Sequence, residues 1–124
     1  MSSQTDRALI EKKVYSLLGL AKKAGRIGSG EFMTERSVKS FKAFLVIVAA
    51  DSSDNTKKKF RDSCDYYEVP YYEFGNKDDL GHALGNEMRA SVAVNDPGMA
   101  DGLKKLLEQL ENTEYTGSAG KKEG

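Results

Sequence analysis

The chain has 124 residues, with 19 Lys and Arg balancing 19 Asp and Glu, 39% hydrophobic residues and a single cysteine, Cys64. This length suits one domain with a proper core, and a lone cysteine excludes an intramolecular disulfide. No apolar run is as long as a membrane span and no signal peptide is visible, so the expected setting is the cytoplasm, without membrane contact.

Zero net charge hides an asymmetry. Residues 1–61 hold 13 basic and 6 acidic side chains, and residues 62–124 hold 6 and 13. The basic residues gather in the segments Lys22–Arg26, Arg36–Lys42 and Lys57–Arg61. A basic face suited to nucleic acid is expected if folding does not interleave the two halves.

In chain order, the apolar stripe Leu9, Val14, Leu17, Leu18 and Ala21 predicts a first helix. Lys22 and Lys23 stand near its end. Gly25 suits the left-handed position just past a helix. Ile27 belongs to a very short strand, and Gly30 opens a second helix over Glu31–Ser40, where it would allow close backbone approach. Met33, Val38 and Phe41 are assigned to that helix's buried side. A helix start offers unpaired N–H groups and the positive end of a dipole, which favour phosphate. With Lys22, Lys23 and Arg26 nearby in sequence, the run reads equally as an anion site or as a basic solvated turn.

Phe44–Ala50 is a continuous apolar run, as expected of a strand covered on both faces. Asp51, Ser52 and Ser53 offer caps for a third helix over Asn55–Tyr66, with Lys57, Lys58, Lys59 and Arg61 in its first half. Pro70 precedes a strand over Tyr71–Phe74, and Tyr66, Tyr67, Tyr71 and Tyr72 are assigned to the core. A short helix over Asp78–Leu84 stops at Gly85, a strand spans Ser91–Asn95, and Pro97 opens a last helix through Leu110. The order implies an α/β fold, a three-layer α/β/α sandwich with a small mixed four-stranded sheet. It forms one domain over residues 1–112. Residues 113–124 lack apolar periodicity and are expected to form a mobile tail.

The catalytic inventory is poor. His82 is the only histidine, metal-ligand spacing is absent, and Gly28-x-Gly30 lacks the rest of a dinucleotide fingerprint. Cys64 has no adjacent cation to activate it and reads as a packing thiol. The expectation is a non-enzymatic protein with no metal and no cofactor.

Several blocks in this order carry a family resemblance: Leu18–Arg26 with Ser29-Gly30-Glu31, Phe44–Ala50, Asn55–Lys59, Leu80–Gly85 and Asp96-Pro97-Gly98. The chain resembles the ribosomal L7Ae/L30e family of small RNA-binding proteins, in its bacterial YlxQ-related branch. The resemblance implies binding of structured RNA, ribosomal or of the kink-turn type (a bent duplex with sheared G·A pairs), with a link to the ribosome or to translation. It also implies a site at one end of the sandwich, made by Gly30–Arg36, Asp51–Ser53 and Asn86–Arg89. The candidate RNA-binding residues are Lys22, Lys23, Arg26, Gly30, Glu31, Phe32, Met33, Arg36, Asp51, Ser52, Glu87, Met88 and Arg89. An ungapped reading puts Phe32 and Met33 where the family commonly has amide and carboxylate side chains, and Arg36 where it has Lys. A shifted reading that makes Glu31 the reader needs a two-residue gap. Phe32 and Met33 have no base-edge hydrogen bonds to offer, so phosphate contacts and packing against bases are expected instead. Met88 and Arg89 fall where relatives place an apolar residue followed by Arg or Pro. The chain is expected to be a monomer, and the competing reading is a protein-interaction module on the same fold.

Overall fold

The computed structural model describes the backbone of residues 3–117 and the side chains of residues 6–112. The elements are α1 (Ser3–Lys23), β1 (Ile27–Ser29), α2 (Glu31–Lys39), β2 (Leu45–Val48), α3 (Asp54–Tyr67), β3 (Tyr71–Glu73), α4 (Lys77–Ala83), β4 (Ser91–Val94) and α5 (Pro97–Gly117). The four strands form one sheet in the order β1-β4-β2-β3. β4 is antiparallel to both β1 and β2, and β2 is parallel to β3. This is the small mixed sheet expected from the pattern.

Every residue of β2 and β4 is buried, because helices cover both faces. Strand alternation sends Leu45, Ile47, Val92 and Val94 to one face, against Val14 and Leu18 of α1, Leu80 of α4, and Leu103 and Leu107 of α5. Val46, Val48 and Ala93 face the other way, against Val38 of α2 and Phe60 and Cys64 of α3. Each fully buried Val, Leu, Ile or Phe side chain stabilises the fold by about 1.5–3 kcal/mol relative to exposure.

Helix ends are set by short-range chemistry. Ser53 Oγ accepts the Thr56 N–H at 3.1 Å, Asn76 Oδ1 accepts the Asp79 N–H at 2.8 Å, and Asp96 Oδ2 accepts the Met99 N–H at 2.8 Å. At the other end, α1 through α4 each finish in a paired turn. There one residue bonds to the carbonyl three positions back, and its successor bonds to the carbonyl five positions back. Gly25 with Arg26, Phe41 with Lys42, Glu68 with Val69 and Gly85 with Asn86 make these bonds. The leading residue is left-handed in every case, including Phe41 at φ 63° and Glu68 at φ 59°.

Three expectations about burial are corrected. Phe41 is largely exposed because the turn after α2 swings it out of the helix's inner face, where it packs edge-on against Tyr67 at 5.4 Å. Met33 is 43% exposed because α2 turns Thr34, Ser37 and Val38 inward instead. The inward hydroxyls find partners: Thr34 Oγ1 donates to the Gly28 carbonyl at 3.4 Å and accepts from Ser91 Oγ at 3.1 Å, while Ser37 Oγ accepts from Asn95 Nδ2 at 3.2 Å. Tyr66 is largely exposed as well; Tyr67, its edge-on partner at 4.9 Å, takes the inward position. Helix α5 runs to Gly117, through the first five residues of the segment expected as a tail. Residues 118–124 lie outside the described residues.

The loop from α4 to β4 folds tightly onto its own helix. A Cβ on Gly81 would stand 1.7 Å from the Glu87 carbonyl oxygen. Gly81→Ala must therefore push residues 86–89 aside, and should lower stability by about 3 kcal/mol in urea unfolding.

Burial also fixes the alkaline limit of the fold. Desolvation pushes the Cys64 thiol from 9.0 up to about 12 and, with Asp79 and Glu108 respectively adding to it, the Tyr15 and Tyr72 hydroxyls from 10.0 to about 12. The unfolded chain releases these protons first, so stability is fully present below about pH 9 and lost as pH rises towards 12. Thermal unfolding across that window should show the decline, and Cys64→Ser should make it shallower. The same burial should leave the native thiol slow to alkylate at pH 8.

Candidate nucleic-acid interface

Three segments meet at one end of the sheet because of its registry. β1 ends at Ser29, beside Val92, and β2 ends at Val48, beside Ser91 at the start of β4. The start of α2, the loop after β2 and the loop before β4 therefore share this end. Backbone bonds hold them: the Gly30 N–H donates to the Ser91 carbonyl at 2.9 Å, and the Ala49 N–H to the Ala90 carbonyl at 2.8 Å. Ser52 Oγ donates to the same Ala90 carbonyl at 3.3 Å. Asp51 Oδ1 accepts the Lys77 N–H at 2.9 Å, and the Lys77 carbonyl accepts the Arg89 N–H at 3.1 Å.

Gly30 caps α2 at φ 90° and ψ 163°, a conformation almost confined to glycine. Its conformation, not the close backbone approach expected of it, is what requires glycine. The side chain of Arg89 lies over it, 3.9 Å from where a Cβ would be. Arg89 is folded back across the end of β1, its Nε donating to Ser29 Oγ at 3.4 Å and Nη1 to the Met88 carbonyl at 2.9 Å.

Around this frame stand exposed apolar side chains, Phe32 at 70%, Met88 at 54% and Met33. With Gly30, Glu31, Asp51, Ser52, Glu87 and Arg89 they make up most of the expected set. Arg36 is exposed on the next stretch of α2.

The expected cluster of cations about this helix start is not formed by Lys22, Lys23 and Arg26. Arg26 stands at the far end of β1, where the Asn95 N–H donates to its carbonyl, with its Nε 3.9 Å from Asp96 Oδ1. The reason is geometric: an extended strand of three residues carries the chain about 10 Å, so neighbours in sequence become residues at opposite ends. Lys22 is turned to the end of α4, its Nζ donating to the Leu84 carbonyl at 3.1 Å. Lys23 is the last, exposed residue of α1.

The basic segments are also interleaved with acids. Lys59 Nζ lies 2.8 Å from Glu31 Oε2 and 3.0 Å from Glu35 Oε1, and Lys39 Nζ is 2.8 Å from Glu35 Oε2. Lys58 pairs with Asp62 at 2.8 Å, and Glu73 draws in Lys57 and Arg61 at 3.8 and 3.6 Å. The continuous basic face expected from the charge asymmetry is therefore broken up. Arg89 and Lys77 remain at this end without a carboxylate partner among the described residues, as does Arg36 in the last turn of α2.

The profile of the ribosomal protein L7Ae/L30e/S12e/Gadd45 family matches residues 12–104. The chain belongs to this family. Within it, the chain is 42% identical over 94 residues to the RNA-binding protein YlxQ of Bacillus subtilis (strain 168), covering 76% of this chain and 94% of that relative. It is 38% identical over 97 residues to the RNA-binding protein YlxQ of Enterococcus faecium, covering 78% and 93%. Among solved structures it is similar to a protein of unknown function from Bacillus halodurans C, with a TM-score of 0.75 at 36% identity over 77% of this chain and 97% of that one. The fold is also that of the Giardia lamblia 15.5kD RNA binding protein, with a TM-score of 0.69 at 21% identity over 84% and 89% of the two chains.

In this member of the L7Ae/L30e family the site depends on residues the sequence did not single out. Ser29, Thr34 and Ser91 hold Arg89 and α2 in place through the bonds above. The spacing of Thr34 and Ser37, three apart on one helix face, was their one visible sign. The electrostatics of the rim centre on Lys59. Lys39 and Lys59 together hold the Glu35 carboxyl below its usual value of 4.5. Lys59→Ala should let it rise partway to 4.5, since Lys39 remains, as read by NMR titration. The melting temperature should hardly move, because exposed pairs contribute about 0–1 kcal/mol.

Proposed function

We propose that this chain binds structured RNA, without catalysis, through the end of the sandwich built by Gly30–Arg36, Asp51–Ser53 and Asn86–Arg89. The observation that carries the reading is the inversion of α2, which buries the hydroxyls of Thr34 and Ser37 while presenting Phe32 and Met33 to solvent. Apolar groups displayed on a frame this firmly bonded have a use outside the core. Phe32, Met33 and Met88 offer faces on which unstacked bases pack. Arg36 and Arg89 supply phosphate contacts, and the free N–H groups at the start of α2 add to them. The names of the two YlxQ relatives support the same partner.

The RNA class we favour is a bent duplex of the kink-turn type, ribosomal or otherwise linked to translation, bound by a cytoplasmic monomer. Among the described residues no helix is long and apolar enough to cross a membrane. Phe32 and Met33 neither donate nor accept hydrogen bonds at base edges, so this surface fits the shape and phosphates of such an RNA better than its sheared G·A pairs.

A second reading has its own support. Phe32 is 70% exposed beside Glu31, whose partner Lys59 is neutralised in place, and a rim so broken also fits a protein partner.

A titration with a kink-turn duplex separates these readings. Arg89→Ala should weaken binding about tenfold and Arg89→Lys by less, with the melting temperature nearly unchanged. Replacing the G·A pairs should cost little. Tight binding that collapses when those pairs are changed would instead make Glu31 the reader. Failure to bind duplex, hairpin or single-stranded RNA would leave the protein-interaction module as the function.

A further inference from the structure

We propose that the end of the sheet opposite the α2 start holds a second RNA contact, a pocket for a single unpaired nucleotide. The proposal rests on the RNA-binding reading above but uses none of its residues as placed by the fold. The pocket has a volume of about 400 Å³ and is lined by Gly25, Arg26, Lys42, Phe44 and Asn95, within the size range of small-molecule clefts.

Its walls are held by backbone bonds from separate parts of the chain. The Arg26 N–H donates to the Ala21 carbonyl at 2.9 Å, and the Asn95 N–H to the Arg26 carbonyl at 2.8 Å. The Phe44 N–H donates to the Val94 carbonyl at 2.8 Å, and the Lys42 N–H to the Ser37 carbonyl at 2.9 Å. Such a frame fixes the backbone in advance, so only the side chains have to be ordered on binding.

Those side chains match the three parts of a nucleotide. The Phe44 ring is 45% exposed at the mouth of the sheet, although its chain neighbours Ala43 and Leu45 are buried. It supplies a stacking face, which every base accepts. Lys42 is exposed and has no carboxylate partner among the described residues. Arg26 is exposed too, with its Nε 3.9 Å from Asp96 Oδ1, while the other Asp96 oxygen is taken by the Met99 N–H. Two cations against one carboxylate leave the pocket positive, suited to a phosphate. Asn95 gives Nδ2 to Ser37 Oγ at 3.2 Å, and its buried Oδ1 has no hydrogen-bond partner. An amide with an unmet acceptor is rare in a folded protein, and a turn of this half-buried side chain would carry Oδ1 to the pocket, where an N–H on a base edge is its complement. An inorganic anion would use the cations and leave the ring and the amide idle. A nucleotide uses all of them. The strand β1 alone separates the two ends, about 10 Å, a distance that a short unpaired strand leaving a bound duplex spans.

The test is an NMR titration of the full-length, isotope-labelled chain with inorganic phosphate, adenosine monophosphate and a six-nucleotide single-stranded RNA. The nucleotide and the hexamer should shift the amide signals of Gly25, Arg26, Lys42, Phe44 and Asn95, and phosphate should bind at least tenfold more weakly than the nucleotide. Phe44→Leu, which keeps an apolar side chain but removes the ring, should weaken the hexamer by roughly five- to tenfold. Lys42→Gln alters an exposed side chain and tests the site even if Phe44→Leu fails to fold; it should weaken the hexamer by several-fold. Silence at these five residues, phosphate binding as tightly as the nucleotide, or a hexamer bound equally well by both variants overturns the proposal. A duplex that shifts Gly30–Met33 and Arg89 while the pocket stays silent overturns this inference alone. A pocket that responds while no duplex binds overturns the primary reading alone.

Discussion

Everything at the candidate site depends on where β4 sits. It is the last strand in sequence, yet it lies inside the sheet, antiparallel to both β1 and β2. Its first residues must therefore stand beside the last residues of both neighbours. The carbonyls of Ala90 and Ser91 then become the common acceptors for Gly30, Ala49 and Ser52, drawn from two connections far apart in sequence. Each such bond contributes about 1 kcal/mol, and leaving a buried partner unpaired costs more. Moving β4 to an edge would leave the same loops on the molecule with nothing to bring them together.

Electrostatics refine that frame and do not create it. The segment Lys57–Arg61 reads in sequence as a block of positive charge, but the fold sets Glu31, Glu35, Asp62 and Glu73 against it. Little field is left over that face. Among the described residues, the cations without a carboxylate partner include Arg89 and Lys77 at one end of the sheet, Lys42 at the other, and Arg36 in the last turn of α2. A nucleic acid approaching either end of the sheet meets a few separate cations, so its contacts there are local.

The sandwich was legible because its signals are local. β2 and β4 are runs of apolar residues of the kind that only double-sided cover explains, and Ser53, Asn76 and Pro97 mark helix starts by their own chemistry. The family resemblance named three loops, and the fold brings them to one end of the sheet. What escaped was set by distant partners. The inward turn of Thr34 and Ser37 depends on Gly28, Ser91 and Asn95, and without them Met33 looks like the buried residue. Phe41 occupies a left-handed turn position that propensity assigns to glycine, so its exposure had no local sign. Arg26 was grouped with Gly30 because five positions look close in a string. An extended backbone makes them far apart.

The sheet's outer strands hold one more consequence. β1 and β3 are three residues long, and β3 carries Glu73, clasped by Lys57 and Arg61. A free sheet border is a template on which another chain can add a strand, and such borders are where β proteins polymerise. Here one border is too brief to reward a newcomer with more than a bond or two. The other is as brief and carries the charges of Glu73, Lys57 and Arg61 beside it. The sheet thus offers little border on which a further strand could grow, one side being short and the other short and charged.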